Sequence, residues 1–482
     1  MGAWGLQRRA ALLFAACGLL VAAAVGCGGS SQPTTTTTPP TSTQSAGQTT
    51  RPAPVRRRVK VSVIDGDTGK PVAGAVVSAP GTTRSGAALL ARASAKRLTV
   101  TATAPHYGAQ TAQFRLGQFR RGRTSTVTLS LYRPDGQWLM YGASPARTQT
   151  QSTIHIRPPF KVVWSRYLGT LLEFPAVVSD GVAYLSNLHG QLFALSMRDG
   201  ATLWRVDMHT REEDSSPAVV GDDLIAHVKA GRVLVLDRAT GRIRWTFHTT
   251  GEVESSPVVM HGIDYLGDWA GDVYALDLRT HKTRWVYHDG CKITASATIA
   301  GGALFLGDYC GRVIALQRST GRLLWSRSAG GVVYGTSATA AGRLFVPSRA
   351  SESLYAFKTD GTYLWHVSTG GLVYSAPAVW HGRVYFGSYT GELYCVSAAT
   401  GEVLWRIDAG GPISGSPTVI DGVVYTGTFG HRIVGADALT GHVLFTFPHG
   451  EYVAVSGNRG KLLLYGWASL WAVRPLHPSQ TG

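Results

Sequence analysis

Eleven residues between Asp214 and Phe429 are candidates for a functional site, because their side chains are of the types that bind a ligand or carry out catalysis. Carboxylates accept hydrogen bonds or hold cations, cationic groups hold anions, and aromatic rings stack on apolar or charged groups. The eleven candidates are Asp214, Lys229, Glu254, Asp268, Trp269, Asp308, Tyr309, Arg349, Tyr374, Tyr389 and Phe429. Asp268 and Asp308 could hold a cation, but no spacing fixes a metal geometry. We therefore predict a binding surface with no catalytic residue and no metal site.

Another group of residues recurs too regularly to form a catalytic site. The phrase VLDRATGRIRW (Val235–Trp245) returns as ALDLRTHKTRW (Ala275–Trp285) and ALQRSTGRLLW (Ala315–Trp325). Aromatic residues close the periods 40 or 41 residues apart, at Trp164, Trp204, Trp245, Trp285, Trp325, Trp365, Trp405 and Phe445. A residue needed in every period serves packing, whereas a catalytic residue is needed once. We predict that the seven tryptophans are structural, with each indole N–H donating to a backbone carbonyl.

Each period contains the elements that would position these residues. An apolar strand, usually opened by Ser-Pro as at Ser216, precedes a hairpin, a Thr-Gly turn and an alternating strand that ends at the aromatic residue. Four strands in about 40 residues match one blade of a β-propeller. The orphan strand Lys161–Leu168 complements the final hairpin Lys461–Pro475. The sequence thus predicts an all-β fold: an eight-bladed β-propeller over 138–475, with four-stranded blades and a last blade closed by both chain ends. Seven blades are the alternative.

The eleven candidates come from positions at which the periods differ. In this topology the start of each inner strand and the middle hairpin emerge on one face, around the axis. Three places before the Pro or Ala that opens each inner strand lie Leu172, Asp214, Glu254, Thr294, Gly335, Tyr374 and Ser414. The middle hairpins contribute Asn187, His189, Lys229, Asp268, Trp269, Asp308, Tyr309, Arg349, Tyr389 and Phe429. Together they predict a ligand-binding rim; alternatively, the hairpin aromatics only cover blade edges.

The cysteines add a covalent constraint to this rim. Cys291 begins an inner strand and Cys310 lies in the hairpin of the same blade, so both face the same side. We predict a disulfide between them, because an exported chain meets oxidising conditions. Cys395 occupies a buried strand position and is expected to be an inert small apolar residue.

The N-terminal residues predict export and anchoring. Arg8 and Arg9 precede an apolar stretch that ends in AVGC (Ala24–Cys27), which resembles a bacterial lipobox. Residues 1–26 are therefore predicted to be a lipoprotein signal peptide, with Cys27 lipidated; an ordinary secretory signal is the alternative. The Thr/Pro/Ser-rich stretch 27–58 can bury almost no apolar surface and is expected to be a disordered tether.

Residues 59–133 predict a small separate domain. Apolar and polar residues alternate around Gly-rich turns in this stretch, which favours strands. DGDTGKPVAGAVV (Asp65–Val77) and LTVTATAPHYG (Leu98–Gly108) resemble the carboxypeptidase-regulatory-like domain, a small β-sandwich. The resemblance implies a spacer or adhesion module.

The repeated phrase itself resembles the pyrroloquinoline-quinone (PQQ) repeat, and WLMYGASPARTQ (Trp138–Gln149) resembles the lead-in segment of PQQ-type propellers. That family includes quinoprotein dehydrogenases and non-enzymatic, membrane-anchored propellers of the BamB-like type. The dehydrogenases have long insertions, a vicinal Cys-Cys pair and a calcium site. Here the spacing leaves no room for insertions, and no Cys-Cys pair is present. The resemblance therefore implies a non-enzymatic scaffold or binding protein without PQQ or calcium; a PQQ-dependent dehydrogenase and an extracellular ligand sensor are the alternatives.

Charge narrows the expected partners. The formal net charge is +17, from 46 Lys and Arg against 29 Asp and Glu. Outside the cell such a charge suits anionic lipid headgroups or cell-wall polymers. An exported chain without a compact basic recognition element is not expected to bind nucleic acid. We predict an extracytoplasmic monomer, lipid-anchored to the bacterial cell membrane or the outer membrane, which binds an envelope protein, a peptide or an anionic wall polymer.

Overall fold

The computed structural model describes residues 58–79, 82–85, 97–115, 119, 124–210, 212–453 and 455–476. The predicted signal peptide, Cys27 and the tether up to residue 57 lie outside the described residues, so these remain predictions. Within the described ranges, no helix is long and apolar enough to cross a membrane.

Two small sheets precede the repeat. β1 (Arg58–Asp65) pairs in parallel with β6 (Thr124–Leu131). An antiparallel sheet of order β3-β2-β4-β5 contains β2 (Val76–Ala79), β3 (Thr82–Ser85), β4 (Arg97–Thr103) and β5 (Gln110–Arg115). One buried cluster joins both sheets and includes Val61, Val100 and Leu129. The alternation of apolar residues along β4 produces this core, because every second side chain of a strand points to the same face.

Four-stranded sheets form most of the remaining described chain. Seven of them, sheets 1 to 7, are each built from four consecutive strands. Sheet 1 contains β9 (Val177–Ser179), β10 (Val182–Ser186), β11 (Gln191–Ser196) and β12 (Thr202–Asp207), and sheet 2 contains β13 (Ala218–Val220), β14 (Asp223–Val228), β15 (Arg232–Asp237) and β16 (Ile243–His248). Sheet 3 contains β17 (Val258–Met260), β18 (Ile263–Gly267), β19 (Asp272–Asp277) and β20 (Lys282–His288), and sheet 4 contains β21 (Thr298–Ala300), β22 (Ala303–Gly307), β23 (Arg312–Gln317) and β24 (Leu323–Ser328).

Sheets 5 to 7 repeat this order. Sheet 5 contains β25 (Ala338–Ala340), β26 (Arg343–Ser348), β27 (Ser353–Lys358) and β28 (Tyr363–Ser368). Sheet 6 contains β29 (Ala378–Trp380), β30 (Arg383–Gly387), β31 (Glu392–Ser397) and β32 (Val403–Asp408). Sheet 7 contains β33 (Thr418–Ile420), β34 (Val423–Thr428), β35 (Arg432–Asp437) and β36 (Val443–Phe447). The short β7 (Thr150–Gln151) extends sheet 7 by pairing in parallel with β33. The fold is all-β, and its four-stranded sheets are consistent with the blades of a propeller.

Sheet 8 combines strands from distant parts of the chain. It contains β37 (Val455–Gly457), β38 (Leu462–Tyr465) and β39 (Ser469–Pro475). β39 pairs antiparallel with β8 (Phe160–Tyr167), which precedes sheet 1. The first strand of sheet 8 also contacts the first strand of sheet 1.

The repeated tryptophans pack between neighbouring sheets. Trp164, Trp204, Trp285, Trp325 and Trp405 each donate the indole N–H to a backbone carbonyl 33 or 34 residues later, at 3.0 to 3.3 Å. The indole nitrogen of Trp365, in contrast, has no hydrogen-bond partner within the described residues. Several rings lie against a turn glycine of the next sheet, as Trp204 does at Gly241, where a Cβ would lie 2.8 Å from the indole. The recurring Thr-Gly and Trp positions therefore serve inter-sheet packing.

A line of hydroxyl groups links the inner strands. The backbone N–H of Ser216 donates to Ser256 Oγ, that of Ser256 to Ser296 Oγ, and that of Ser296 to Thr336 Oγ1, at 2.8 to 3.1 Å. Each acceptor lies 40 residues after its donor. The Ser of the repeated Ser-Pro phrase thus satisfies a buried backbone N–H of the preceding sheet, which explains why a hydroxyl recurs there.

The lead-in segment, Trp138–Gln149, crosses one end of the inner strands. Six inner-strand residues donate their N–H groups to carbonyls of this segment at 2.7 to 2.9 Å: Val178, Val219, Ile299, Thr339, Val379 and Val419. Fully buried Arg147 donates to the carbonyls of Ser256, Pro257 and Ala297. Burial lowers the pKa of Arg147 to about 10, so the side chain stays cationic at neutral pH. The segment therefore joins seven sheets and closes this end of the space between the inner strands.

Two acids join the small sheets to sheet 8. Asp67 accepts hydrogen bonds from Asn458 at 2.8 Å and from Gln137 at 3.3 Å. Asp65 accepts from the Arg459 guanidinium at 2.8 Å and from backbone N–H groups of its own turn. Burial, and then the charge of Asp65, raises the pKa of Asp67 to about 7. Burial acts to raise the pKa of Asp65 too, but its hydrogen bonds and the Arg459 charge outweigh burial and hold that pKa below its ordinary value. The pKa values of the two acids of the Asp-Gly-Asp turn therefore shift in opposite directions.

Candidate functional site

The inner strands set the position of the candidate site. Along sheet 2 the order is Asp214, then the linking hydroxyl of Ser216, then Val219 at the lead-in segment. Five residues of extended chain span about 16 Å. Residues two places before the linking hydroxyl therefore lie at the end opposite the lead-in segment. We call this open end the mouth.

An acidic cluster occupies one side of the mouth. Lys229 Nζ lies 2.5 Å from Asp214 Oδ2, 3.1 Å from Glu254 Oε1 and 3.1 Å from Glu212 Oε2. Burial opposes the charge on Lys229, but the carboxylates of Asp214 and Glu254 outweigh it and raise the pKa of the amine. Burial and the charge of Asp214 raise the pKa of Glu173 to about 8. Three carboxylates thus share one ammonium group, beside a fourth carboxyl whose pKa is raised.

An arc of aromatic rings occupies the other side. Its consecutive ring centroids lie 4.5 to 6.4 Å apart, a spacing typical of aromatic pairs. We call this series the aromatic arc; it consists of Tyr309, Tyr334, Tyr374, Tyr389, Phe429, Tyr452 and Trp467. Trp467 is half exposed, whereas most of the other rings are partly buried. Partly exposed rings in series offer stacking surface for an extended ligand.

Cationic side chains lie over rings of the mouth. Lys292 Nζ lies 3.0 Å from the ring centroid of Trp269 and 4.7 Å from that of Tyr309. Arg349 lies over Tyr374 at 5.2 Å and donates to its hydroxyl. Lys229 Nζ lies 5.5 Å from the Trp269 ring centroid, and Tyr334 pairs with the rings of both Tyr309 and Tyr374. These contacts bring the predicted rim residues Lys229, Trp269, Tyr309, Arg349 and Tyr374 into one neighbourhood.

The disulfide holds part of this neighbourhood together. Cys291 and Cys310 are bonded, with their Cα atoms 5.9 Å apart. Lys292 directly follows Cys291 and Tyr309 directly precedes Cys310. The crosslink therefore constrains the two residues whose side chains form the cation–ring contact. Cys395 is a free, buried thiol.

Two predicted rim acids, Asp268 and Asp308, are buried and have a structural role. Asp268 is fully buried and accepts from Thr250 Oγ1, Tyr274 OH and the backbone N–H groups of Gly251 and Asp272. These bonds fix the hairpin that carries Trp269, so Asp268 positions the rim and is not exposed on it.

Asp308, in the next sheet, is likewise buried and hydrogen-bonded within its own hairpin. It is fully buried and accepts from the backbone and the guanidinium of Arg312. Asp289, Cys291 and Asp308 bring potential metal ligands within 4.8 Å of one another. The Cys291 sulfur is in the disulfide, however, and Arg312 pairs with both carboxylates. This donor set therefore does not fit a resident metal ion.

Sequence reasoning missed several residues of the mouth. The inner-strand start of sheet 5 contributes Tyr334, one place before the predicted Gly335, and the start of sheet 1 contributes Glu173 where Leu172 is fully buried. In sheet 5 the register was displaced because Ser337 replaces the expected Pro or Ala. Lys292 lies neither three places before the Pro or Ala column nor in a middle hairpin, so the repeat does not mark it. Tyr452 and Trp467 lie in the irregular final sheet, where no repeat phrase marks the rim.

A groove beside the acidic cluster adds further polar groups. It has a volume of about 570 Å³ and is lined by His189, Asp207, His209, Thr210, Glu212, Lys229, Ala230 and Glu252. Lys229 belongs to both the groove and the acidic cluster, so a ligand in the mouth could extend into the groove. Predicted Asn187 is instead buried and binds the backbone carbonyl of Leu168.

The fold of this chain is similar to those of several solved structures. BamB from Moraxella catarrhalis matches with a TM-score of 0.56 and 16% identity, over 66% of this chain and 99% of that chain. Quinohemoprotein alcohol dehydrogenase from Comamonas testosteroni matches with a TM-score of 0.61 and 15% identity, over 70% and 80%. A europium-containing methanol dehydrogenase matches with a TM-score of 0.59 and 13% identity, over 70% and 91%. Such low identities show the fold alone. Among curated proteins, none matches this chain.

A family profile provides the stronger relation. The profile described as "Outer membrane protein assembly factor BamB" matches residues 188–331, 271–375 and 350–466, which together span more than half of the chain. These residues contain the recurring Trp positions from Trp204 to Trp405 and the rim from Lys229 to Phe429. The chain therefore belongs to this BamB-type family of PQQ-like repeat β-propellers.

Proposed function

We propose that this protein is a non-enzymatic scaffold or binding protein of the bacterial envelope, which recognises an envelope protein, a peptide or a surface polymer through the mouth. The observation that carries the proposal is the continuous aromatic arc facing the acidic cluster at the open end. Recognition sites combine stacking surface with a few placed polar groups in this way. In the same proposal the chain is a lipid-anchored, extracytoplasmic monomer, held at the membrane through Cys27.

We extend the proposal to the architecture. Pairing of β39 with β8 supports an eight-bladed propeller whose last blade contains both ends of the repeat region. Such closure would remove free sheet edges, which otherwise promote association between molecules. The two small sheets support the sandwich assignment for 59–133, in which a carboxypeptidase-regulatory-like module would act as a spacer between tether and propeller.

The charges of the mouth support a role without PQQ and calcium. PQQ is a tricarboxylate, and the carboxylates of Asp214 and Glu254 would repel it. A divalent cation at these two acids would have to displace the Lys229 ammonium, which already contacts Asp214 Oδ2 and Glu254 Oε1. The side chains present therefore do not fit this pair of groups, and we derive no redox step from them. Adding PQQ and Ca²⁺ to the purified protein should give no dye-linked oxidation of alcohols or sugars; turnover would establish the dehydrogenase alternative.

Crosslinking in the native envelope tests the binding role. Wild-type protein should capture a reproducible partner or wall polymer, and the double variant Tyr389→Ala, Phe429→Ala should lose most of it, because two adjacent rings of the arc disappear. Leu203→Ala is the matched control, since Leu203 is an exposed apolar residue of β12 away from the arc. Equal capture by all three proteins would exclude the aromatic arc as the binding surface.

A further inference from the structure

The side chain of Lys292 occupies a site suited to a ligand cation. Its ammonium nitrogen lies 3.0 Å from the Trp269 ring centroid and 4.7 Å from that of Tyr309. Aromatic faces attract ammonium and guanidinium groups by their negative electrostatic potential. Within the described residues, no carboxylate lies within ion-pair distance of the Lys292 amine. The amine therefore rests on the two rings without a direct ion pair.

Glu254 is linked to these rings by Lys229, whose ammonium contacts Glu254 and lies 5.5 Å from the Trp269 ring centroid, and it has bonding capacity that the protein does not use. Its side chain is nine-tenths buried, with Oε1 at 3.1 Å from Lys229. The other oxygen, Oε2, is buried and has no hydrogen-bond partner within the described residues, and the same holds for Trp269 Nε1. A buried, unpartnered carboxylate oxygen is costly, and a donor that reached it would remove that cost. Glu254 is thus an acceptor for a further cationic donor.

The balance of charges in the mouth also favours a positively charged ligand group. Asp214, Glu254 and Glu212 share the single ammonium of Lys229. Burial lowers the pKa of Lys292; Glu254 opposes this effect and Lys229 adds to it. In a chain with a net charge of +17, this local excess of carboxylates is suited to a positively charged group and not to an anion.

We propose that Trp269, Tyr309 and Glu254 form a cation box that binds an ammonium or guanidinium group of the ligand, with Lys292 as its intramolecular competitor. The inference rests on the proposed binding function of the mouth and names the chemistry of the ligand. The ligand cation replaces the Lys292 ammonium, whose flexible stem carries it towards solvent, so one cation exchanges for another. The aromatic arc continues from Tyr309, so residues that flank the cation stack on it. A basic peptide segment with aromatic or apolar neighbours combines both properties.

The test uses calorimetric titration of the full-length protein with three probes: a short peptide of alternating Lys and Phe, the same peptide with each Lys replaced by Gln, and spermidine. Lys292→Ala should bind the basic peptide about tenfold more tightly than wild type, because the competitor is gone. Trp269→Ala should bind it at least tenfold more weakly. The Gln peptide should show neither change. Binding of spermidine as tight as that of the peptide would assign the box to free amines; weaker binding would assign it to peptides.

A matched variant controls for the loss of charge. Lys282→Ala removes an exposed lysine from β20 and should leave every affinity unchanged. If Lys292→Ala weakens binding or has no effect, Lys292 is not a competitor and the proposal is wrong. If the Lys and Gln peptides bind equally and both need Tyr389 and Phe429, the cation box is wrong while the proposed function of the mouth stands. If no probe binds and envelope crosslinking also fails, both are wrong.

Discussion

His281 stacks on Trp245, with ring centroids 4.6 Å apart and ring planes at 9°. The residue has a φ of +58° and stands where the other six of sheets 1 to 7 have glycine, as at Gly241. Glycine accepts this backbone conformation without strain and leaves room for the tryptophan of the preceding sheet. Where the glycine is missing, an imidazole lies flat against the indole. The pairing of a turn residue with a tryptophan therefore defines the packing between sheets.

Gly241→Ala should destabilise the protein more than Gly221→Ala. Both glycines have positive φ, so each substitution strains the backbone by about 1 kcal/mol. A Cβ at Gly241 would lie 2.8 Å from Trp204, whereas a Cβ at Gly221 would meet nothing within 4 Å. We expect a further loss of roughly 1–3 kcal/mol at Gly241 from overpacking. Urea unfolding gives both free energies, and equal losses would contradict this role of the Trp–Gly contact.

Arg147→Met should lower the free energy of unfolding by about 3 kcal/mol or more. Methionine keeps most of the apolar volume but leaves the buried carbonyl oxygens of Ser256, Pro257 and Ala297 without the guanidinium donor. Arg198→Ala is the control, since Arg198 is almost fully exposed and should change stability little. Thermal unfolding that is the same for the two variants would show that Arg147 does not secure the lead-in segment.

Reduction of the Cys291–Cys310 disulfide should lower stability and loosen the mouth. The bond closes a loop with a sequence separation of 19, for which a loss of about 3 kcal/mol is expected. Because Lys292 and Tyr309 adjoin the two cysteines, tryptophan fluorescence from Trp269 should change as well. The double variant Cys291→Ser, Cys310→Ser should reproduce both effects and respond no further to reductant. A reductant effect that persists in this variant would have to come from elsewhere.

The free energy of unfolding should decrease as the pH rises from about 4 to about 7, because of Asp67. Its folded-state pKa is about 7, against 3.8 for the ordinary side chain, so in this window the folded protein holds a proton that the unfolded chain releases. The resulting slope is at most about 1.4 kcal/mol per pH unit. Asp67→Asn should reduce the slope, since the amide stays neutral and its oxygen still accepts from Asn458. Asp135→Asn, at an exposed acid, is the control. Glu173 and Glu213 add slopes of the same sign, because burial raises the pKa of each to about 8, so only part of the slope should disappear in Asp67→Asn. An unchanged slope in this variant would contradict the assignment to Asp67.

The repeat explains why much of the fold could be predicted. Strand positions follow from alternation, and a period of 40 residues places each Trp, each Ser-Pro and each hairpin in the same element of its sheet. The seven predicted tryptophans consequently fall on the last strands of sheets or, for Trp164, on β8. The disulfide partners could be located by the same rule, because both positions lie at one end of one sheet.

The mouth was harder to predict because it depends on contacts between sheets. Asp268 and Asp308 have the composition of rim ligands, but hydrogen bonds to their own hairpins bury them. Tyr334 was displaced by one residue in the sequence alignment of the periods, since its sheet lacks the marker proline. The Arg147 side chain gave no signal, because three of its carbonyl partners, Ser256, Pro257 and Ala297, lie more than 100 residues away.

The all-β class, the 40-residue unit, the packing role of the tryptophans and the face that carries the variable residues can all be predicted from the sequence. These properties are local or periodic, so they can be recognised in the order of residues along the chain. The contacts between variable residues become known only from the packed sheets: three carboxylates on Lys229, seven rings in one arc, and Lys292 over Trp269. Distances between separate sheets set these contacts, and the charges and burial that result exist only once the sheets are packed side by side.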